Sequence, residues 1–181
     1  MATVHSITTA DQLWAAAAEL PSCELIQGEL RYMAPASFDH GWMGGNILSP
    51  LWQFVRKRRL GRVVGLEAGF IVERNPDTVL APDVAFVSAA RVPASQPKFF
   101  DGPPDLAVEV LSPSNSKAEI QRKVAILLGA GCRLIWVVDP KGRTVTEYRP
   151  HKEESVLTSA DSLSGHDVVP GFVLPIQEIF E

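Results

Sequence analysis

The spacing of apolar residues changes several times along the chain, and each change predicts an element of secondary structure. A spacing of three to four residues predicts a helix, strict alternation predicts a half-buried strand, and an unbroken apolar run fits a strand buried on both faces. The predicted helices cover residues 9–20, 40–59 and 116–130. The predicted strands cover residues 23–34 (a hairpin), 62–73, 79–88, 105–111, 132–139 and 143–149, with a Pro-rich loop at 89–103 and a terminal packing segment at 170–180.

The unit formed by residues 105–139 is the best-defined part of this pattern. Ser116 and Glu119 have capping-box spacing, which predicts a helix start at Ser116, and Gly129 or Gly131 is expected to end the helix. Short connections favour a right-handed crossover that places both flanking strands in one sheet. The predicted fold class is therefore α/β or α+β, with a mixed central β-sheet flanked by helices.

Composition and charge narrow the class of protein. A length of 181 residues suits a single domain over 1–181, and 46% apolar with 21% charged residues excludes a disordered or fibrous chain. The net charge of −4 argues against a strongly basic nucleic-acid coat, while leaving room for a local basic face. Cys23 and Cys132 are far apart without ligand spacing, which predicts a reduced, cytoplasmic setting. No apolar run approaches the ~18 residues of a membrane span.

Two carboxylates in otherwise apolar strands point to chemistry. Asp83 stands where the strand "VAFV" begins, and Glu109 interrupts the run "LAVEVL". An ionised carboxylate in a core is usually paired, hydrogen-bonded or bound to a metal, because leaving it alone is costly. If the two strands are neighbours, both acids can approach one point and hold Mg²⁺ or Mn²⁺. The alternative also stands: Asp83 caps a turn and Glu109 pairs with a basic core residue.

Helix 116–130 offers a cation to the same region. At ~100° per residue, Lys123 lies at the edge of the apolar stripe and can reach towards the sheet. It either serves a site there or covers the edge of the core with its stem. The stripe itself consists of Ile120, Val124, Leu127 and Leu128.

These motifs resemble those of the Uma-type restriction-endonuclease-like family, part of the PD-(D/E)xK nuclease superfamily and often described only as a domain of unknown function. The matching segments are "ELIQGEL" followed by "APASFDHG", then "APDVAFV", then "DLAVEVLSPSNS" followed by "KVAILLGAGCRLIWVVDP". The resemblance covers most of the chain. It implies the restriction-endonuclease-like fold and hydrolysis of DNA phosphodiester bonds assisted by Mg²⁺.

The resemblance also implies roles for particular residues. Asp83 corresponds to the motif aspartate and Glu109 to the second acid, so both would hold the Mg²⁺ or Mn²⁺. The superfamily usually has a lysine two residues after the second acid, where this chain has Leu111. In the resembling family the lysine comes from the following helix, where Lys123 stands. The family's tyrosine four residues later is Leu127 here.

Two upstream residues match an upstream Glu and His of the family pattern. Glu29 is expected to be a further metal ligand or a polar partner of the site. His40 is expected to orient a phosphate or to cap local structure. Lys123 would orient a water or stabilise the transition state, and would act as a base only if burial lowered its pKa.

DNA binding would need a basic surface, and the run "RKRR" is the densest basic cluster. This basic run would bind DNA phosphates. The alternative is that it forms an ordinary solvated helix end, where cations interact favourably with the helix dipole. Few aromatic residues interleave with it, so stacking on single strands is not expected. The run consists of Arg56, Lys57, Arg58 and Arg59.

Assembly and rival functions complete the expectations. Enzymes that cut both strands of a duplex commonly form C₂ dimers, so a homodimer is expected, with the exposed-looking Phe99 and Phe100 as interface candidates. The rival functions are a catalytically silent DNA-binding or scaffold protein and a hydrolase of another phosphoester.

Overall fold

The computed structural model describes residues 6–65, 68–96, 98–113 and 116–181, and it is an α+β fold in which helices flank mixed sheets. The helices are α1 (Ala10–Ala16), α2 (Phe38–Arg58), α3 (Lys117–Ala130) and α4 (Ile176–Ile179). The strands are β1 (Cys23–Ile26), β2 (Glu29–Tyr32), β3 (Gly61–Gly65), β4 (Phe70–Glu73), β5 (Thr78–Leu80), β6 (Val84–Ser88), β7 (Phe100–Asp101), β8 (Leu106–Val110), β9 (Leu134–Asp139), β10 (Thr144–Tyr148), β11 (Ser155–Leu157), β12 (Ser162–Ser164) and β13 (Val173–Pro175).

Two sheets carry the strands around the candidate residues, and the larger one is mixed and flanked by helices, which confirms the predicted central sheet. Over the described ranges, the main sheet has the order β11-β10-β9-β8-β6-β3 and the second sheet has the order β2-β1-β5-β4-β7. Strands β8 and β9 are parallel and are joined by α3, which confirms the predicted crossover unit. The β6–β8 pair is antiparallel, with Val84 opposite Val108. Continuing that register by one residue places Asp83 beside Glu109.

The predictions of single strands at 62–73 and at 79–88 are wrong. Each segment divides into one strand of the main sheet (β3 or β6) and one strand of the second sheet (β4 or β5). In the second case the break falls at Pro82, which lacks the N–H that a continuous ladder needs. Asp83 therefore lies in the connection where the chain passes between the sheets, rather than within a strand. The predicted loop 89–103 contains the short strand β7.

The helices follow the predicted pattern with two differences. Helix α1 is capped by Thr9 but ends at Ala16, earlier than expected. Helix α2 runs without a break through its glycines and Pro50, because its buried face of Ile47, Leu51 and Val55 packs on the main sheet and outweighs their poor helix propensity.

Helix α3 begins and ends as its sequence predicts. The capping box of Ser116 and Glu119 is present, and Gly131 ends the helix with a φ of 106°, in the left-handed region that glycine adopts readily. Both ends of the helix are thus fixed by local sequence, and the start of β9 follows directly.

The main sheet is covered on both faces. Val108, Trp136 and their neighbours pack against α2, α4 and the C-terminal segment. Ala107, Ile135 and their neighbours pack against α3 and the second sheet. By alternation along β8, Glu109 shares the face of Ala107, as predicted. In the described part of the chain, no helix is both long and apolar enough to cross a membrane.

Candidate active site

Five polar side chains converge where the two sheets meet. Glu24 comes from β1, Asp83 from the connection before β6, Glu109 from β8, Lys123 from α3 and His40 from the first turn of α2. We call this group the carboxylate site. The second sheet, the main sheet and both long helices each contribute, so the site exists only when these elements are assembled.

Lys123 lies between two buried carboxylates. Its Nζ is 2.8 Å from Glu24 Oε1 and 2.9 Å from each carboxylate oxygen of Glu109. Glu24 Oε1 also accepts a hydrogen bond of 2.7 Å from the backbone N–H of Ala81, in the connection between the sheets. Glu24 and Glu109 are only 6% and 7% exposed. Lys123 therefore joins the two sheets through charged contacts that are largely shielded from water.

One oxygen of Glu109 is not satisfied by this arrangement. Lys123 Nζ is equally near both oxygens, but its direction suits a hydrogen bond to Oε2 only, and the buried Oε1 has no hydrogen-bond partner among the described residues. Buried polar atoms without a partner are rare and costly in folded proteins. Glu109 Oε1 contacts Lys123 Nζ without accepting a hydrogen bond, so it keeps lone-pair capacity for a ligand.

The charges of the site act on one another. Burial raises the pKa of Glu109 to about 8, with Glu24 and Asp83 adding to the rise and Lys123 opposing it. Burial alone would lower the pKa of Lys123, but attraction to Glu109 and Glu24 outweighs burial and raises that pKa above its ordinary range. Lys123 is therefore a fixed cation at neutral pH, and the base role that a lowered pKa would have allowed is not available.

Asp83 is held by groups from β8 and α2. Its Oδ2 accepts a hydrogen bond of 2.7 Å from the backbone N–H of Val110 and lies 3.3 Å from His40 Nε2. The hydrogen bond to Asp83 raises the pKa of His40, and contact with the Val110 backbone adds to this rise. Ser37, rather than His40, supplies the N-cap of α2. His40 thus points its ring into the site and orients Asp83.

Glu29 lies outside the carboxylate site. Its side chain is 70% exposed and forms a surface pair with Arg31 at 2.8 Å. Glu24, five residues earlier, is the β1–β2 hairpin residue that reaches Lys123, and sequence reasoning missed it. The signal was present: Glu24 interrupts an otherwise apolar strand, just as Glu109 does.

The two leucines that depart from the family pattern, Leu111 and Leu127, contribute to strand pairing and to the core. The backbone N–H of Leu111 donates to the carbonyl of Val138 and extends the β8–β9 pairing. Leu127 is fully buried in the core between α3 and the main sheet. The polar group of the family's tyrosine, which Leu127 replaces, is therefore absent from the core layer next to the site.

The basic run 56–59 lies at the far end of α2. Arg56 Cζ is 4.7 Å from the centroid of the Trp52 ring, and Arg58 Cζ is 4.4 Å from that of Phe54. The expectation that few aromatic residues accompany the run is corrected, because i,i+4 spacing on the helix brings a ring under each of these guanidinium groups.

The suggested interface aromatics are engaged within the chain. Phe99 packs edge-on against Trp14, with ring centroids 5.2 Å apart, and Phe100 packs against Phe70 at 5.5 Å. Both are half-buried, so the interpretation of Phe99 and Phe100 as an exposed pair is wrong. These rings attach the loop before β8 to α1 and the second sheet.

The predicted metal ligands form a sparse donor set. Across the ranges the structure describes, no group of three or more His, Cys, Asp or Glu side chains is arranged to hold a metal ion. Asp83 and Glu109 nevertheless fit Mg²⁺, which protein sites often hold through one or two carboxylates with water and phosphate oxygens filling the other positions. Oε1 of Glu109, which accepts no hydrogen bond within the described ranges, supplies a donor for that purpose.

Comparison with known proteins shows the family and the fold of this chain. A family model described as "Uma2: Putative restriction endonuclease" matches residues 11–177. The chain belongs to this family. A crystal structure of "a putative nuclease belonging to DUF820 from Anabaena variabilis" aligns with a TM-score of 0.81 and 23% identity, over 95% of this chain and 97% of the other. That likeness shows a shared fold, and no curated protein matches the chain.

Proposed function

We propose that this Uma2 protein is a metal-dependent endonuclease that hydrolyses DNA phosphodiester bonds, with Asp83 and Glu109 holding Mg²⁺ or Mn²⁺. The observation that carries the proposal is the buried Oε1 of Glu109, which lies 2.9 Å from the charged Lys123 Nζ but accepts no hydrogen bond among the described residues. Both oxygens of Glu109 lie 2.9 Å from Lys123 Nζ, but only Oε2 accepts its hydrogen bond, which leaves Oε1 with lone-pair capacity for a cation. Membership of a family described as "Putative restriction endonuclease" supports the same chemistry.

The charge of the carboxylate site suits a divalent cation. Three carboxylates face Lys123 and His40, so the group carries one excess negative charge when all three acids are ionised and His40 is protonated, and the raised pKa of Glu109 reflects the cost of that state. A cation near Glu109 would offset the repulsion from Glu24 and Asp83 that raises the pKa of Glu109. Binding a divalent ion therefore relieves the electrostatic conflict within the site.

The side chains divide the work of hydrolysis. The bound cation would offset charge on the phosphate and make a water molecule more acidic. Lys123, held as a cation by Glu24, would donate hydrogen bonds to phosphate oxygens as negative charge develops on them. His40 would keep Asp83 oriented through Nε2, while the Val110 N–H fixes the same carboxylate from the other side.

Metal titration and cleavage assays test the proposal. We expect calorimetry with Mn²⁺ to show one site in the wild type, at least tenfold weaker binding in Asp83→Asn and Glu109→Gln, and no change in the exposed control Glu29→Gln. Duplex DNA should be cut with Mg²⁺ or Mn²⁺, and both site variants should lose that activity. Equal metal binding by all four proteins would place the metal elsewhere.

The substrate panel separates the rival functions. Cleavage of RNA or of small phosphodiesters in preference to DNA would indicate a hydrolase of another phosphoester. Metal and DNA binding by a wild type that cleaves none of these substrates would indicate a catalytically silent nuclease fold.

A further inference from the structure

A groove at the far end of α2 lies apart from the carboxylate site. It has a volume of about 630 Å³ and is formed by the last turns of α2, the edge strand β3 and the segment after β6. That volume lies within the range of ligand-binding clefts. We call it the arginine groove, and the lining residues used below are Trp52, Arg56, Arg59, Arg62, Val92 and Pro93.

The charge of the arginine groove is entirely positive. Its arginines are Arg56, Arg59 and Arg62, and its lining contains no acidic side chain. All three are exposed, and none has a carboxylate within 4.0 Å among the described residues. Arg91 nearby differs, because Asp105 neutralises it at 3.1 Å. Three unpaired guanidinium groups around one concave surface are complementary to an anion with several charges, such as a row of phosphates.

An exposed ring lies beside these charges. Trp52 is 43% exposed and supports the guanidinium group of Arg56. Aromatic rings next to arginines are the usual lining of channels that hold a nucleic-acid strand, since the ring meets a base or sugar while the cations meet phosphates.

Strand β3 connects the arginine groove to the carboxylate site. Val64 lines the groove, and a Cβ atom built on the next residue, Gly65, would lie 3.3 Å from the carbonyl oxygen of Asp83. Helix α2 runs between the same two places. Sixteen residues separate His40 from Arg56, a distance of about 24 Å along the helix.

We propose that the arginine groove seats the sugar-phosphate backbone of one strand of the DNA substrate, away from the phosphate at the carboxylate site. This inference rests on the proposed endonuclease function. The separation of about 24 Å corresponds to roughly seven nucleotides of a DNA strand at ~3.4 Å each. The groove supplies sequence-independent affinity and register, while the carboxylate site supplies the chemistry.

The basic run contains its own controls. Lys57 and Arg58 are as exposed as their neighbours but do not line the groove, and Arg58 packs on Phe54. The triple variant Arg56→Gln/Arg59→Gln/Arg62→Gln can therefore be compared with Lys57→Gln/Arg58→Gln. A third variant with lysine at all three groove positions keeps the charge, and thermal melting checks that each variant is folded.

Fluorescence anisotropy with labelled duplex DNA and the matching single strand, in EDTA over a range of salt concentrations, measures binding without cleavage. We expect the triple glutamine variant to bind duplex DNA about 10²-fold more weakly at ~100 mM salt, and its slope of log K against log salt to fall by about 2.7. The control variant should change affinity less than about threefold, and the lysine variant should keep the wild-type slope. Equal losses in the control and the groove variant would overturn the proposal.

Two further measurements keep this inference separate from the proposed function. Mn²⁺ affinity of the triple glutamine variant should match the wild type, because the carboxylate site is unchanged. Groove-dependent DNA binding by a wild type that never cleaves would retain the groove and reject the nuclease activity. If the triple variant changes sedimentation from dimer to monomer and binds DNA normally, the groove is instead an interface between copies of this chain, and the proposal is wrong.

Discussion

Lys123 lies between the carboxylates of Glu24 and Glu109, at 2.8 and 2.9 Å, and its replacement by methionine would leave both buried acids without their cation. We expect Lys123→Met to lose about 3–5 kcal/mol of stability at neutral pH, as is usual when one partner of a buried ion pair is removed. DNA cleavage in single-turnover assays should fall ~10²-fold or more, because a charge-stabilising group is lost. The sequence alone predicts little change in stability, because methionine keeps most of the apolar stem of Lys123.

A double variant separates the two roles of Lys123. Adding Glu24→Gln to Lys123→Met removes one uncompensated charge, so stability should partly recover while cleavage stays low. Lys117→Met, at the exposed start of α3, should be nearly silent in both assays. Recovery of cleavage in the double variant, or unchanged cleavage by Lys123→Met, would restrict Lys123 to a structural role.

The sequence is informative about site residues that stand out within one element. Asp83 and Glu109 are recognisable as charges beside apolar strands, and Lys123 as a cation at the edge of an apolar stripe. Glu24 carries the same signal, but its importance comes from contacts to Ala81 and Lys123, which lie 57 and 99 positions away in the chain. Contacts of that separation are set by tertiary packing, which periodicity does not describe.

At the scale of elements, Glu147 connects three parts of the chain. Its buried carboxylate on β10 lies 3.3 Å from Nε1 of Trp136, which belongs to β9. It also lies 3.0 Å from Nε2 of His166, in the turn after β12, and 3.1 Å from Nε of Arg149. Replacing Glu147 with leucine would leave a buried indole N–H, the ring of His166 and the guanidinium group of Arg149 without their acceptor. His166 and Arg149 remain partly exposed, so water compensates some of the loss.

We expect Glu147→Leu to lower the free energy of unfolding by about 2 kcal/mol, and Tm by about 4–8 °C, with the metal affinity of the carboxylate site unchanged. Differential scanning calorimetry measures the first effect and Mn²⁺ titration the second. Glu153→Gln is the control, since Glu153 is exposed in the next connection. A Tm equal to that of the wild type would mean that the contacts of Glu147 contribute no net stability.

Whether an element could be predicted depended on how local its determinants are. The ends of α3 follow from a capping box and a left-handed glycine, all within the helix sequence. The division of 79–88 into β5 and β6 depends on Pro82, but the assignment of its two halves to different sheets depends on their partners. Sequence periodicity gives the face of a strand and not its neighbour, so the mixed central sheet was predicted but the second sheet beside it was not.

At the scale of the whole molecule, the carboxylate site lies at the junction of two sheets, and its geometry depends on their alignment. Glu24 belongs to the second sheet, Glu109 to the main sheet, and Lys123 joins them. The family and the fold class could be inferred from motifs spread over most of the chain, since each motif keeps its local pattern. The junction itself could not, because no single motif contains both of its sides.

The reactivity of the Cys132 thiol reports how often α3 separates from the main sheet. It lies between α3 and β9, is fully buried, and its Sγ is 3.4 Å from the carbonyl oxygen of Leu134. Burial raises the pKa of the Cys132 thiol to about 12. The thiolate is the reactive form, so at pH 8 the thiol of Cys132 is both protonated and inaccessible. Cys23, by contrast, is half-buried at the start of β1.

We expect Ellman's reagent at pH 8 to modify Cys23 in the native protein and to leave Cys132 unmodified until the β8–α3–β9 unit opens. In Cys23→Ser, the remaining reaction should be at least ~10³-fold slower than in the unfolded chain, and its rate should rise with urea in parallel with global unfolding, because a buried core strand opens only with the whole domain. Cys132→Ser is the matching control for the reactivity of Cys23.

Fast modification of Cys23→Ser without denaturant would mean that α3 detaches from the main sheet on its own. Lys123 would then leave the carboxylate site during such openings, and the ion pairs that join the two sheets would be transient.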